Sequence, residues 1–267
     1  MLDVGSNTVH LLVVDAHRGA HPTPMHDDRW LLRLAEHVGA DGKLSKAGEK
    51  ALLNAVQKAK EQAAGRRCDE LLAFVTSAIR DADNGAAVLR RVREQTGVDL
   101  QVLTGEDEAR LTFLAVRRWF GWSAGRLLVL DIGGGSLELA NGVDEDPEVA
   151  LSVPLGAGEP ELAVATSKTF RTLARLTGAA PYAAGLRVPR EMTATGLSQV
   201  IGFVSRIESA ALAELQGVSA QRAHQVPAGA VVAQAAMRAV DVTSVRICPW
   251  ALREGIILRR LDQLEGA

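Results

Sequence analysis

Apolar residues fall in two rhythms along the chain. Val9-His10-Leu11-Leu12-Val13-Val14 and Leu137-Glu138-Leu139-Ala140 are short stretches suited to strands, and residues 71–77 and 126–132 are near-continuous apolar runs of strand length. Between them the period lengthens. Leu52, Val56, Ala59 and Ala63 share one helical face, which predicts a helix over 45–65 stopped by Gly65. Residues 84–96 read as a charged amphipathic helix ended by Gly97, and 106–120 as another. Farther on, an Ala-rich helical run begins near Met192. A helix over 226–240 has Pro227-Ala228-Gly229 at its start, 244–248 is a short strand, and a last helix runs from Leu252. Strands alternating with helices predict an α/β fold.

Two turns between these strands carry the chemistry. Asp3-Val4-Gly5-Ser6-Asn7-Thr8 and Asp131-Ile132-Gly133-Gly134-Gly135-Ser136-Leu137-Glu138 each hold an acid, then glycine, then a small hydroxyl residue. Tight turns of this kind expose backbone N–H groups that can cradle a phosphate, and the acid at the strand end can hold a metal or a water. Asp131 and Glu138 flank the triple glycine as oxygen ligands suited to Mg²⁺. The pair of turns is the chain's one internal echo and fits two related half-domains facing a phosphorylated ligand.

Composition narrows the class. The 267 residues are 47% apolar, enough for a sizeable core, and only 4% aromatic, so stacking on nucleic-acid bases is not a broad theme. Lys and Arg number 30 against 32 Asp and Glu, a net charge of −2, without the cationic excess of a general nucleic-acid or membrane-surface binder. Cys68 and Cys248 have no CxxC spacing, so neither a disulfide framework nor zinc is expected, and both read as buried thiols in a reducing cytosol. No apolar run reaches the ~20 residues that span a bilayer, and the expected location is cytoplasmic.

Several familiar sites are absent. No Gly-Lys-Ser/Thr follows a glycine loop, residues 131–138 lack G-x-G-x-x-G, and Glu138 stands where a serine-hydrolase elbow needs its second glycine. Glu106, Asp107 and Glu108 open a helix, where acids favour the dipole irrespective of function. Thr76, Ser77 and Arg80 follow a strand and read equally as a phosphate contact or as a cap with a solvated arginine. Arg110 reads as an ordinary helix-surface residue and His10 as a core or edge histidine. His21 and His26 fall in a Pro-containing loop.

In combination and order, the segments resemble the exopolyphosphatase / guanosine pentaphosphate phosphatase (Ppx/GppA) family of the actin-like superfamily. The resemblance rests on Asp3-Val-Gly-Ser-Asn-Thr, Thr76-Ser-Ala-Ile-Arg80, Gly105-Glu-Asp-Glu-Ala-Arg110, the Asp131–Glu138 motif, Val153-Pro-Leu-Gly-Ala-Gly158, Ala165-Thr-Ser-Lys-Thr169 and Pro249-Trp-Ala-Leu-Arg-Glu-Gly255. It implies two ribonuclease-H-like domains, over about 1–120 and 121–251, with the final helix packing back on the first and an active site in the cleft between them. It implies Mg²⁺-dependent removal of a terminal phosphate from inorganic polyphosphate, with short chains preferred. Glu108 aligns with the general base and Arg80 with a phosphate-contacting arginine. Asp131 and Glu138 align with metal-binding acids, to which Asp3 is added. Gly5, Ser6, Asn7, Thr8, Gly133, Gly134, Gly135 and Ser136 align with the phosphate loops.

Within the same family a guanosine pentaphosphate hydrolase is the alternative, and outside catalysis a polyphosphate or alarmone sensor. A small-molecule kinase is disfavoured by the acid placed as a base. A homodimer is expected by analogy alone. Three departures stand out. The strand before the first turn is nearly missing. A few dozen family residues are absent after Gly158. Lys168 occupies a position where glycine is common, and reads either as favouring a more anionic ligand or as a solvated surface residue.

Overall fold

The structure is a computed structural model that describes residues 1–17, 20–133, 136–152 and 161–264. It divides into two compact units, one formed by Met1–Glu108 with the chain from Ile256, the other by Ala109–Gly133 and Leu137–Gly255. The expected boundary at 120 is the end of a helix whose residues from Ala109 group with the second unit.

The first unit is built on a five-stranded sheet. β1 (Leu2–Val4), β2 (Thr8–Asp15) and β3 (Thr23–Leu31) form an antiparallel meander. Helix α1 (Lys46–Gly65) then leads to β4 (Ala73–Val75), α2 (Ser77–Arg80), α3 (Gly85–Thr96), β5 (Gln101–Val102) and α4 (Gly105–Phe120). Strand order is β3-β2-β1-β4-β5, with β1, β4 and β5 parallel. Ser45 caps α1 by accepting from the Gly48 N–H at 3.2 Å, and Leu52, Ala55, Val56, Ala59 and Ala63 are buried with Leu2, Val4, Val9 and Leu11 of the sheet. Gly97, at φ 71°, closes α3 in the left-handed conformation, its N–H donating to the Arg93 carbonyl.

His26 lies in β3 and not in a loop. The strand escapes periodicity because it is a sheet edge, exposed or half-exposed throughout, so no apolar face marks it. His10 is buried in β2, its Nε2 2.6 Å from Asp27 Oδ1 of β3. Of the two thiols, Cys248 is buried and Cys68 only partly so; both are free.

The second unit carries β6 (Leu127–Ile132), β7 (Leu137–Gly142), β8 (Val149–Leu151), β9 (Leu162–Thr166), α5 (Ser167–Leu176), β10 (Glu191–Thr193), α6 (Ala194–Val204), α7 (Ser209–Ala213), α8 (Val226–Ala239), β11 (Ser244–Ile247) and the first turn of α9 (Leu252–Gln263), a helix that from Ile256 groups with the first unit. Its sheet runs β10-β11-β9-β6-β7-β8, with β6, β9 and β11 parallel. Leu127, Leu128, Val129 and Leu130 are all buried, as a central strand covered on both faces requires. Phe170 and Leu173 of α5, Leu197 and Val200 of α6, and Ala230, Ala233 and Met237 of α8 form one core with β6.

Arg117 of α4 is fully buried. It donates to the carbonyls of Gly121 (3.1 Å), Gly125 (2.7 Å) and Gly142 (3.2 Å), and its guanidinium lies 5.8 Å from the centre of the Phe113 ring. Close packing fixes the other side of α4. A Cβ on Gly255, in the first turn of α9, would stand 1.7 Å from the Leu111 carbonyl oxygen. Because the neighbour is backbone, Gly255→Ala is expected to destabilise by about 1–3 kcal/mol, measured as a lowered urea midpoint at unchanged slope. A midpoint equal to wild type would show that the two helices separate freely at this point.

Candidate active site

In the first unit the turns after three parallel strands gather the predicted groups, the usual place for ligands in α/β sheets. After β1, Gly5 donates to the Thr8 carbonyl at 3.0 Å, while Ser6 and Asn7 are buried. The Ser6 carbonyl accepts from Ala35, and the Asn7 carbonyl from Leu32 and Arg33. The backbone of this turn is thereby fixed, yet Asn7 Nδ2 is buried and donates no hydrogen bond among the described residues. A buried donor without an acceptor is costly, and an anion in the turn would satisfy it. Asp3 is the middle residue of β1, directly opposite His10 in register, and Thr8 begins β2.

After β4, Thr76 donates its N–H to Val4, tying the β1 and β4 turns together. Arg80 ends α2, half-buried. Its Nη1 donates to the Leu103 carbonyl at 3.0 Å and to Glu108 Oε1 at 2.6 Å, and its Nε to Asp81 Oδ1 at 2.9 Å. Burial alone would lower its pKa; the bonds and charges of Asp81 and Glu108 outweigh it and hold the guanidinium above its ordinary value. Arg80 is therefore not a solvated arginine.

The three acids opening α4 separate by environment. Asp107 and Thr104 cap each other reciprocally, Thr104 Oγ1 donating at 2.7 Å and accepting from the Asp107 N–H at 3.0 Å. Glu106 is exposed. Glu108 is buried, at 8% exposure, against Arg80, an environment that the dipole reading of a first-turn acid does not call for.

In the second unit, Asp131 on β6 faces Glu138 on β7 in direct register. Such a pair holds its Cβ atoms about 4.5–5.5 Å apart. Burial first, and the facing Glu138 charge second, raise Asp131 to about 7, while Arg171 pulls it down. Thr166, beside Asp131 in the parallel β6–β9 register, donates to the Trp250 carbonyl at 2.8 Å. Two carboxylates repelling each other at a strand end are an all-oxygen donor set that fits Mg²⁺, which keeps most of its shell as water or phosphate oxygen. Among the described residues no three His, Cys, Asp or Glu side chains gather as a metal cluster. Gly133 is exposed and Ser136 half-buried; Gly134 and Gly135, and the expected break after Gly158, lie outside the described residues. Arg110 pairs with Asp146 at 2.9 Å. Arg171, absent from the sequence-derived candidates, acts on Asp131 from α5; only folding brings that helix to the end of β6.

The model of the Ppx/GppA phosphatase family matches residues 13–160 and 157–264, and the chain belongs to that family. Exopolyphosphatase 1 of Mycobacterium tuberculosis is 56% identical over 301 aligned positions, covering 98% of this chain and 88% of the relative. The Mycobacterium leprae exopolyphosphatase 1 is 54% identical, covering 98% and 89%. The 301 aligned positions exceed the 267 residues of the chain, so these relatives carry residues that it lacks. The crystal structure of the Aquifex aeolicus family member superposes with TM-score 0.84 at 20% identity, covering 100% of this chain and 98% of that one. An exopolyphosphatase structure from Cytophaga hutchinsonii gives 0.83 at 19%, covering 98% and 97%. Both carry the two-domain actin-like α/β fold.

The raised Asp131 makes a signed prediction. Between about pH 4, where the unfolded carboxyl ionises, and about pH 7, the folded state binds more protons, so stability falls as pH rises and levels off above 7. In metal-free protein, Asp131→Asn should match wild type in Tm near pH 4 and exceed it by a widening margin up to pH 7. Parallel Tm curves across that range would show that Asp131 is not held protonated.

Proposed function

We propose that the protein is an exopolyphosphatase that releases terminal orthophosphate from inorganic polyphosphate by in-line attack of water. The observation that carries this reading is the buried Glu108 carboxylate held 2.6 Å from Arg80 at the ends of the parallel strands. The 56% identity to a mycobacterial exopolyphosphatase supports the substrate class, and the unsatisfied Asn7 donor in the first turn supports an anionic ligand.

Glu108 accepts the proton of the attacking water, and Arg80 presents its remaining N–H groups to the phosphoryl oxygens. Asn7 Nδ2 and the N–H groups of the Gly5–Thr8 turn orient the phosphate chain. Asp131 and Glu138 would hold Mg²⁺, which when bound neutralises phosphoryl charge. Nothing in this scheme calls for a nucleophilic Ser or Cys. Among the described residues no helix is long and apolar enough to cross a membrane, and the two free thiols suit a reducing cytoplasm, where we place the enzyme.

Phosphate release from short polyphosphate, long polyphosphate and guanosine pentaphosphate, measured side by side, tests the substrate. Short polyphosphate is expected to give the highest kcat/KM. Activity should vanish in excess chelator and return with Mg²⁺; undiminished release in chelator would remove the assignment of Asp131 and Glu138.

Glu108→Gln keeps size and some hydrogen bonding but cannot accept a proton, so kcat should fall about 10²–10⁴-fold with substrate binding retained. Glu106→Gln, exposed on the same turn, should leave kcat near wild type. Loss of binding along with turnover in Glu108→Gln would make Glu108 a structural acid and put the base elsewhere.

A further inference from the structure

A second feature of the Ala109–Gly255 unit has no role in the chemistry above. Where α5 begins, Lys168, Thr169 and Thr172 face Ser219, Arg222 and Gln225 from the segment leading into α8, around a small pocket open to solvent. Leu173 and Val226, both buried, form its floor. The lining holds two cationic side chains, hydroxyls and an amide, and no Asp or Glu, in a chain that is net acidic.

Arg222 is half-buried, and its guanidinium makes no hydrogen bond or ion pair among the described residues. Its neighbour is another cation: burial first, and the Arg171 charge second, lower its pKa. Most arginines of the unit differ. Arg118 and Arg126 lie on carboxylates, and Arg117 and Arg190 on backbone carbonyls. Desolvating a guanidinium beside a like charge is unfavourable unless an anion completes the site. Lys168, exposed at the pocket mouth, adds a second cation, and the first turn of α5 adds its N–H groups. Ser167, which opens α5, is held at φ 91°, a strained conformation for a residue with a Cβ.

We propose that this pocket is a phosphate-binding subsite, in which Arg222 and Lys168 hold one phosphate group of a polyphosphorylated anion. Arg222 supplies the fork that matches phosphate oxygens, Lys168 a point charge, and Thr169 and Ser219 hydroxyl donors. The phosphate comes either from a distal part of the substrate chain, in which case the proposal rests on the exopolyphosphatase reading, or from a separate polyphosphorylated molecule.

The test uses the full chain with tripolyphosphate in excess chelator. Acetylation of Lys168, followed by mass spectrometry, should slow in wild type as tripolyphosphate is added, and should not slow in Arg222→Ala. Binding measured by calorimetry should weaken about tenfold or more in Arg222→Ala and in Lys168→Glu, and much less in Arg222→Lys. Lys168 is exposed, so Lys168→Glu carries the test if Arg222→Ala fails to fold. Unprotected Lys168 in wild type, or affinities within twofold of wild type in the variants, overturns the subsite.

Two arms separate the sources of the phosphate. A distal phosphate of the substrate raises KM for polyphosphate in both variants. A separate anion instead makes the wild-type rate respond to added imidodiphosphate, and the variants lose that response. Protection of Lys168 in a protein that releases no phosphate from any substrate would keep the subsite and overturn the hydrolase reading; the reverse result would do the opposite.

Discussion

A single buried guanidinium organises the second unit. Among the described residues no carboxylate bonds Arg117, although the Asp144 and Glu161 charges act on it. Three backbone carbonyls, from Gly121 just after α4, Gly125 two residues before β6 and Gly142 at the end of β7, converge on it, and burial lowers its pKa. A lysine could not reach three acceptors in that fork. The bonds tie α4 to the base of the β6–β7 hairpin. Asp131 and Glu138 stand at the hairpin's other end, and their register follows from where its base is fixed. The charge is tolerated because carbonyl dipoles substitute for water and the Phe113 ring covers one face.

Charge is partitioned finely in a molecule whose total is close to zero. In the first unit Glu108 is matched by Arg80, and among the described residues the buried side-chain donor left over belongs to neutral Asn7. In the second, like charges are set side by side twice: two carboxylates on β6 and β7, two guanidiniums at Arg171 and Arg222. Arg171 acts on both groups, lowering Asp131 and lowering Arg222. Its own position is fixed by a bond to the Ser167 carbonyl and by the Tyr182 ring, 5.5 Å away. Like-charge pairs are expected where a ligand of opposite sign is to be held, and a cation and an anion respectively would stabilise these two.

The elements that were legible in the sequence are those whose burial is one-sided or complete. α1, α3, α4 and β6 follow their apolar patterns to within a residue or two, because a stripe or an unbroken run is what a core demands. β3 was hidden by its exposure, and its stability comes from backbone pairing with β2, which no side-chain pattern reports. The acid–glycine turns were visible because few residues tolerate such turns. The separation of Glu106, Asp107 and Glu108 was not legible from spacing, since three neighbouring acids look alike until one is buried beside an arginine 28 positions earlier. Arg222 was invisible for the same reason: its significance lies in Lys168 and Arg171, brought close only by the packing of α5 and α8.

The order of the two units along the chain has a consequence for synthesis. The second unit is one uninterrupted stretch apart from its hairpin turn, whereas the first is completed only by the chain from Ile256, where Arg260 bonds Glu70 across 190 residues. On a ribosome the five strands of the N-terminal sheet emerge first, whereas the unit's segment from Ile256 is made after the second unit. The inserted unit already has nearly all its strands and helices by then. The unit begun first is thus the last to receive all its residues, and its Glu70–Arg260 bond forms only after the second unit has been made.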